Sequence, residues 1–140
     1  FSMKKVLKVR SIREDKAQNK FLKAKKKHNQ IKSHLEKVNS HQKEMYSYIR
    51  KNNLSTTESL QARNYLHKNR QKINMVQEKL NSQKDEVNNK QQEFINKKQK
   101  RKVLEQLKEN EYNNFYQDLL TREQKELDDI CVRLSHNSGD

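Results

Sequence analysis

In the first half of the chain, positions Phe21, Ala24, His28, Ile31, Leu35, Val38, Gln42, Met45 and Ile49 follow a strict alternation of three and four residues. Seven of these nine are apolar, and Lys, Asn, Gln and Ser dominate the positions between them. This is the seven-residue repeat of a left-handed coiled coil, in which a narrow apolar seam faces a partner helix. Upstream the seam continues through Ala17 and then loosens into Val6, Leu7, Val9 and Ile12. A second seam runs through Leu66, Asn69, Ile73, Val76, Leu80, Gln83, Val87, Lys90 and Phe94. It changes phase over residues 95–103, a basic patch, and resumes through Leu104, Leu107, Phe115, Leu119, Leu120, Leu127, Ile130 and Leu134.

The stretch Lys51-Asn52-Asn53-Leu54-Ser55-Thr56-Thr57-Glu58 separates the two seams and is the one interior cluster of turn formers. Ser55 and Glu58 have the spacing of a capping box, in which each side chain satisfies an orphan amide at a helix start. The pattern therefore predicts one all-α unit over residues 1–140, a long antiparallel two-helix coiled coil or helical hairpin. Helix 1 is expected over about 2–51, a turn over 52–57, helix 2 over about 58–135, and a frayed tail over 136–140. A short loop returns the second helix antiparallel to the first, so residues whose numbers add to about 111 face each other. Val38 then meets Ile73, Leu35 meets Val76, Ile31 meets Leu80 and Met45 meets Leu66, apolar against apolar at each level. At about 1.5 Å per residue the arms span about 75 and 115 Å, so residues beyond about 110 are expected to lack a partner within the chain.

Composition supports this reading by exclusion. The chain has 30% apolar residues, one Gly, no Pro and no Trp, too little apolar material for a thick layered core. Low hydropathy with high charge is the signature of disorder, and the seven-residue repeat argues against it. The formal charge of +14 is unevenly placed: residues 1–51 carry a net +12, residues 52–102 a net +7, and residues 103–140 a net −5. A basic body with an acidic end raises nucleic acid, a membrane surface or an acidic protein as partners. No segment approaches the roughly 18 consecutive apolar residues of a membrane span, and the basic start lacks the apolar stretch of a signal peptide. A single cysteine, Cys131, fits a reducing cytoplasm.

Catalytic, cofactor-binding and metal-ligating sites are not expected, and neither is a small-molecule substrate. The chain lacks a Gly-rich loop before a Lys, a His-Glu-x-x-His and any Cys–His pairing at useful spacing. His28, His34 and His41 lie along one helix without carboxylates converging on them, so they read as seam-edge residues. The sequence predicts a protein that is not an enzyme. Lys25–Lys27 and the cluster Lys97, Lys98, Lys100, Arg101, Lys102 could neutralise phosphates, yet stacking aromatics are not interleaved with them. Nucleic-acid binding is thus disfavoured, and Tyr46, Tyr48, Tyr65, Tyr112 and Tyr116 point instead to protein contacts or to covering the seam's edges.

The chain resembles the flagellar export protein FliJ family, small components of the bacterial flagellar type III export apparatus. Family members open with an aromatic, a Val-Leu and an Arg, as Phe1, Val6-Leu7 and Arg10 do here. They close with a charged helix similar to Arg122-Glu123-Gln124-Lys125-Glu126-Leu127-Asp128-Asp129-Ile130. Leu35, Asn64-Tyr65-Leu66 and the Lys-Arg-Lys-Val-Leu block at 100–104 add to the likeness, which covers essentially the whole chain. The resemblance implies a coiled-coil stalk similar to that of rotary ATPases. Its partners would be the export ATPase hexamer, the cytoplasmic domain of the export gate and the substrate chaperones it escorts or recycles.

On that resemblance the gate contacts carry over to His34, Val38, His41 and Met45 on the first helix and to Tyr65, Asn69, Lys72 and Val76 on the second. Val38, Met45 and Val76 also lie on the seam, so packing and contact compete for them. The ring contacts would be Leu7, Arg10, Leu120, Leu127 and Ile130. The expected place is the cytoplasm, peripheral at the inner membrane through the partners alone, and the expected roles are flagellum biogenesis, motility, chemotaxis and regulation of the ATPase. The alternatives are the equivalent stalk of a virulence type III secretion system and a basic coiled coil that binds nucleic acid.

Overall fold

A computed structural model describes residues 2–138 of the chain, and Phe1, Gly139 and Asp140 lie outside the described residues. Two helices account for almost all of it: α1, Ser2–Lys51, and α2, Thr56–Ser138. They pack against each other as a helical hairpin, and the described residues contain no strand. The first helix occupies the expected span. The second begins two residues before the expected start, and residues 136–138, expected to fray, are helical.

The connection is built from side-chain caps. The Asn52 amide donates to the Tyr48 carbonyl at 3.1 Å, and its Nδ2 donates to the same oxygen at 2.9 Å, closing the end of α1. Arg50 and Lys51 in that last turn complement the helix dipole. At the start of α2, the Glu58 amide donates to Ser55 Oγ at 3.2 Å, the N-cap bond that the Ser-x-x-Glu spacing predicts. Among the described residues none has a positive φ, so the turn is made without a glycine.

The chain divides into two compact units. The larger, Arg13–Lys97, is a helical hairpin closed by this turn. Its core is one row of side chains per helix: Ala17, Ala24, Leu35 and Val38 of α1 and Val76 of α2 are buried, with Val38 only 3% exposed. Ile31, Met45, Ile49, Leu66, Ile73, Leu80 and Val87 are half-buried along the same rows. The Phe21 and Phe94 rings stack with centroids 6.1 Å apart and planes at 16°. The small Ala17 and Ala24 sit one turn to either side of Phe21 and leave room for that pair.

Two polar side chains are buried in this core, and both are bonded. Gln42 donates to the Leu66 carbonyl at 3.4 Å and accepts from Asn69 Nδ2, which also reaches the Val38 carbonyl at 3.4 Å. These two residues lie opposite each other in the expected register. Gln83 Nε2 donates to the Ala24 carbonyl at 3.0 Å, a backbone approach that a larger residue at 24 would block. A shift of one heptad would break the Gln42–Asn69 pair and set each against apolar side chains, at about 1–3 kcal/mol for each unsatisfied group, so this pair fixes the register as a buried Asn does in coiled coils.

The other unit comprises Phe1–Ile12 and Lys98–Asp140. Here two expectations are corrected. Upstream of Ala17 the half-buried positions are Met3, Leu7, Arg10, Ser11 and Glu14, all but Ser11 on the three–four count, whereas Val6, Val9 and Ile12 are exposed. On α2 the count runs on through Lys97, Arg101 and Leu104, with Ile95 and Lys98 half-buried beside it. A continuous helix cannot rotate its face to follow misplaced apolar residues, so long charged side chains lie on the seam instead. Their aliphatic stems cover it while the heads reach polar partners. Arg10 donates to the Lys100 carbonyl at 3.1 Å, and Arg101 meets Glu105 at 2.8 Å. From Glu105 to Asn137 every residue of α2 is exposed, including Leu107 and Phe115, so α2 loses its cover about five residues earlier than expected.

Replacing Asn69 by Ala leaves Gln42 without its partner and should cost about 1–3 kcal/mol, seen as a lower Tm by circular dichroism. The double change Gln42→Leu with Asn69→Leu should instead raise Tm. Equal loss in both variants would show that the polar layer does not set the register.

Candidate partner-binding surfaces

The residues expected to touch the gate all lie in the Arg13–Lys97 unit, close to the turn. The structure divides them by burial. Val38 and Val76 are core, and Met45 is half-buried on the seam. Asn69 is occupied by the Gln42 and Val38 bonds. His34, His41, Tyr65 and Lys72 are exposed. His34 and His41 lie seven residues apart, as do Tyr65 and Lys72, so each pair shares one flank of its helix. His41 Nδ1 is 3.7 Å from Glu44 Oε2, a surface contact of little energetic weight.

The two flanks open on the same side. A shallow groove of about 400 Å³ is lined by Gln30, Ile31 and His34 of α1 and by Lys72, Met75, Val76 and Lys79 of α2. Its floor is apolar, from Ile31, Val76 and Met75, and its rim carries His34 and the two lysines. Three of the eight expected gate residues thus line one groove. Sequence reasoning missed Met75, Lys79 and Gln30. Met75 is 60% exposed and one residue off the seam, and a lone methionine outside the repeat was the available signal. The opposite edge is polar: Arg70 donates to the Tyr46 hydroxyl at 3.0 Å, which ties that tyrosine across the two helices.

The expected ring residues fall in the other unit, and they are not brought together. Leu7 and Arg10 are half-buried against α2, with Arg10 bonded at Lys100. Leu120, Leu127 and Ile130 lie at least 20 residues further along α2, about 30 Å by helical rise. All three are exposed, Leu127 at 56%. Together with Tyr112, Tyr116, Leu119 and Leu134 they form an apolar face on a helix with no neighbour there. A shallow depression lined by Leu120, Gln124 and Leu127 lies on the same face. The five tyrosines are all exposed, as protein contacts require.

Among the described residues, no group of three or more His, Cys, Asp and Glu side chains could hold a metal, and no helix is long and apolar enough to cross a membrane.

The family model for the flagellar FliJ protein matches residues 1–140, the whole chain. The chain belongs to the FliJ family. It is therefore a flagellar export-related protein. No curated protein and no solved structure matches it. Of the residues that carried the resemblance, Leu7 and Arg10 pack on α2, whereas the Arg122–Ile130 stretch is bare. Phe1 lies outside the described residues.

The groove and the seam meet at neighbouring residues of this FliJ-family chain, which makes their separation testable. Met75→Glu should change stability by less than about 0.5 kcal/mol, because the side chain is mostly in water. Val76→Glu, one residue along, should cost at least about 3 kcal/mol by burying a carboxylate without a partner. Thermal melts followed at 222 nm compare them, and similar losses would place Met75 in the core.

Proposed function

We propose that this chain is a non-enzymatic coiled-coil stalk of the bacterial flagellar type III export apparatus. In this reading it binds the export ATPase ring and the cytoplasmic domain of the export gate, and it escorts or recycles substrate chaperones. It works at the cytoplasmic face of the inner membrane, held there by its partners. The observation that carries the reading is the uncovered part of α2, where Leu120, Leu127 and Ile130 present apolar surface with no use inside the chain. Such a face on a polar helix needs another protein. Family membership supplies the machine and favours the flagellar setting over a virulence secretion system.

The physical mechanism follows from charge and asymmetry. The charge is divided along the chain, net +12 over residues 1–51 and net −5 over residues 103–140, so charged surfaces on a partner orient the two ends differently, an attraction that chiefly sets encounter rate and orientation. Its two helices differ in sequence, so each subunit of a ring meets a different face. Nucleotide-driven changes in one subunit then bias the angular position of the stalk, and the coupling is reciprocal. Gate binding uses the exposed residues of the other unit: His41 and Tyr65 supply polar and aromatic contact, and the Met75 groove takes an apolar side chain. The buried Val38 and Val76 hold that face in shape.

Two sets of full-length variants test this. Changing Leu120, Leu127 and Ile130 together to Asp should weaken binding to the ATPase ring by about tenfold or more and abolish stimulation of ATP hydrolysis, with helicity retained. His41→Ala with Tyr65→Ala should weaken gate binding and leave the ring untouched. Unchanged affinity in either pairing removes that half of the assignment.

A further inference from the structure

Five apolar side chains of the unit made of Phe1–Ile12 and Lys98–Asp140 fall off the seam at one level of the helical pair. Val6, Val9 and Ile12 of α1 are 44–46% exposed, and Val103 and Leu107 of α2 are 59% and 49% exposed. Arg10 donates to the Lys100 carbonyl, which keeps this part in the register where numbers adding to about 111 face each other. Leu7 then meets Leu104 on the seam, and Val6 and Leu107 flank it together on one side. Val9 and Val103, three and four residues from them, stand further round on that same side, with Ile12 at the outer edge of α1. One side of the pair thus carries an apolar strip that the seam does not use. None of the five lines the groove at Met75 or the depression at Leu120.

The strip lies in the most one-sided charge of the chain. Residues 1–12 and 98–104 carry eight basic side chains and no acidic one. Lys5 is a helical neighbour of Val9 and Ile12, and Lys100 of Val103 and Leu107, so ammonium groups on long stems border the strip from both helices. Lysines are common elsewhere, but exposed apolar residues among them are single: the stretch Lys16–Lys27 bares only Leu22. The combination decides the partner. Nucleic acid would engage the lysines and leave five apolar groups unused, and the strip has no aromatic on which a base could stack. A protein partner is held by projecting anchors and fitted pockets, and short branched side chains on a flat side supply neither. An anionic lipid surface requires neither: its phosphates take the ammonium groups, and its acyl boundary accepts shallow apolar groups in any arrangement.

We propose that this side of the pair, Val6 and Val9 with Val103 and Leu107, bordered by Lys5 and Lys100, is a contact site for an anionic phospholipid membrane. The apolar side chains enter the boundary between headgroups and acyl chains, and the basic ones hold the phosphates around them. The acidic end of α2, net −5 over residues 103–140, is repelled by the same surface, which confines the contact to the basic half of the unit and leaves the Leu120–Leu134 row to other partners. The inference does not rest on the stalk reading. It needs no partner protein, and Leu7 and Arg10, the ring residues of α1, stay half-buried on the seam.

Co-sedimentation of the full chain with vesicles of phosphatidylcholine containing about 30% phosphatidylglycerol tests this. Binding should weaken by about tenfold or more between about 0.05 and 0.5 M salt, and vesicles of phosphatidylcholine alone should bind at least about tenfold less. Changing Val6, Val9, Val103 and Leu107 together to Ser leaves the charge as it is, and should lower binding about tenfold with helicity retained. Lys5→Glu with Lys100→Glu should do the same through charge. Location is read with a polarity-sensitive dye on a single thiol, the exposed native cysteine being replaced by Cys131→Ser. On vesicles containing phosphatidylglycerol, the dye on Val9→Cys should shift to the blue and the dye on Leu127→Cys should not. Equal binding to the two kinds of vesicle, or a blue shift at position 127 alone, would overturn the proposal. So would a four-Ser variant that binds the vesicles and a single-stranded oligonucleotide as well as the native chain does, which marks a phosphate-binding surface for nucleic acid.

Discussion

The constraint on which the rest of the structure depends is the rigidity of helical phase. Each helix contributes one row of side chains to a narrow seam, and a continuous helix delivers that row at a fixed count of three and four. Whatever residue falls on the count is placed on the seam. In the Arg13–Lys97 unit those residues are mostly apolar and the hairpin is well packed, with two bonded polar layers at Gln42–Asn69 and Gln83–Ala24. In the other unit the same count delivers Arg10 and Arg101, and cohesion comes from aliphatic stems and hydrogen bonds more than from apolar burial.

This explains which parts of the fold were legible in the sequence. The hairpin, its turn and its register were readable because apolar residues marked the count from Phe21 to Ile49 and from Leu66 to Phe94. The ends were misread where apolar residues strayed from it. Val6, Val9 and Ile12 looked like a loosened seam because they are apolar, yet the phase set downstream leaves them in water. The expected phase change over residues 95–103 failed for the same reason: Lys97 and Arg101 do not look like seam residues until their stems are considered. Burial was less legible than contact type. Of the residues carried over for gate binding, sequence alone placed Val38 and Val76 on the seam, but the Met75 groove needed both helices in position.

Function enters through what the seam leaves uncovered. A two-helix coiled coil with 30% apolar residues has few to spare, and the bare row of leucines and tyrosines along distal α2 is the surface on which the proposed stalk role rests. Family membership makes the chain a flagellar export-related protein. The proposed stalk uses apolar surface presented on a helix that gains nothing from it within its own chain. Missing Pro and internal Gly, which at first only exclude other folds, let each helix carry its phase without interruption.

The central claim is that one fixed-phase seam supplies the stability of the chain and that distal α2 stands outside it. Amide hydrogen exchange on the dilute chain tests this most directly. The account predicts strong protection through Ala17–Ile49 and Ala62–Phe94 and protection at least about a hundredfold weaker across Glu105–Asn137, a lone helix in water being marginal. Equal protection along the whole of α2 would contradict it.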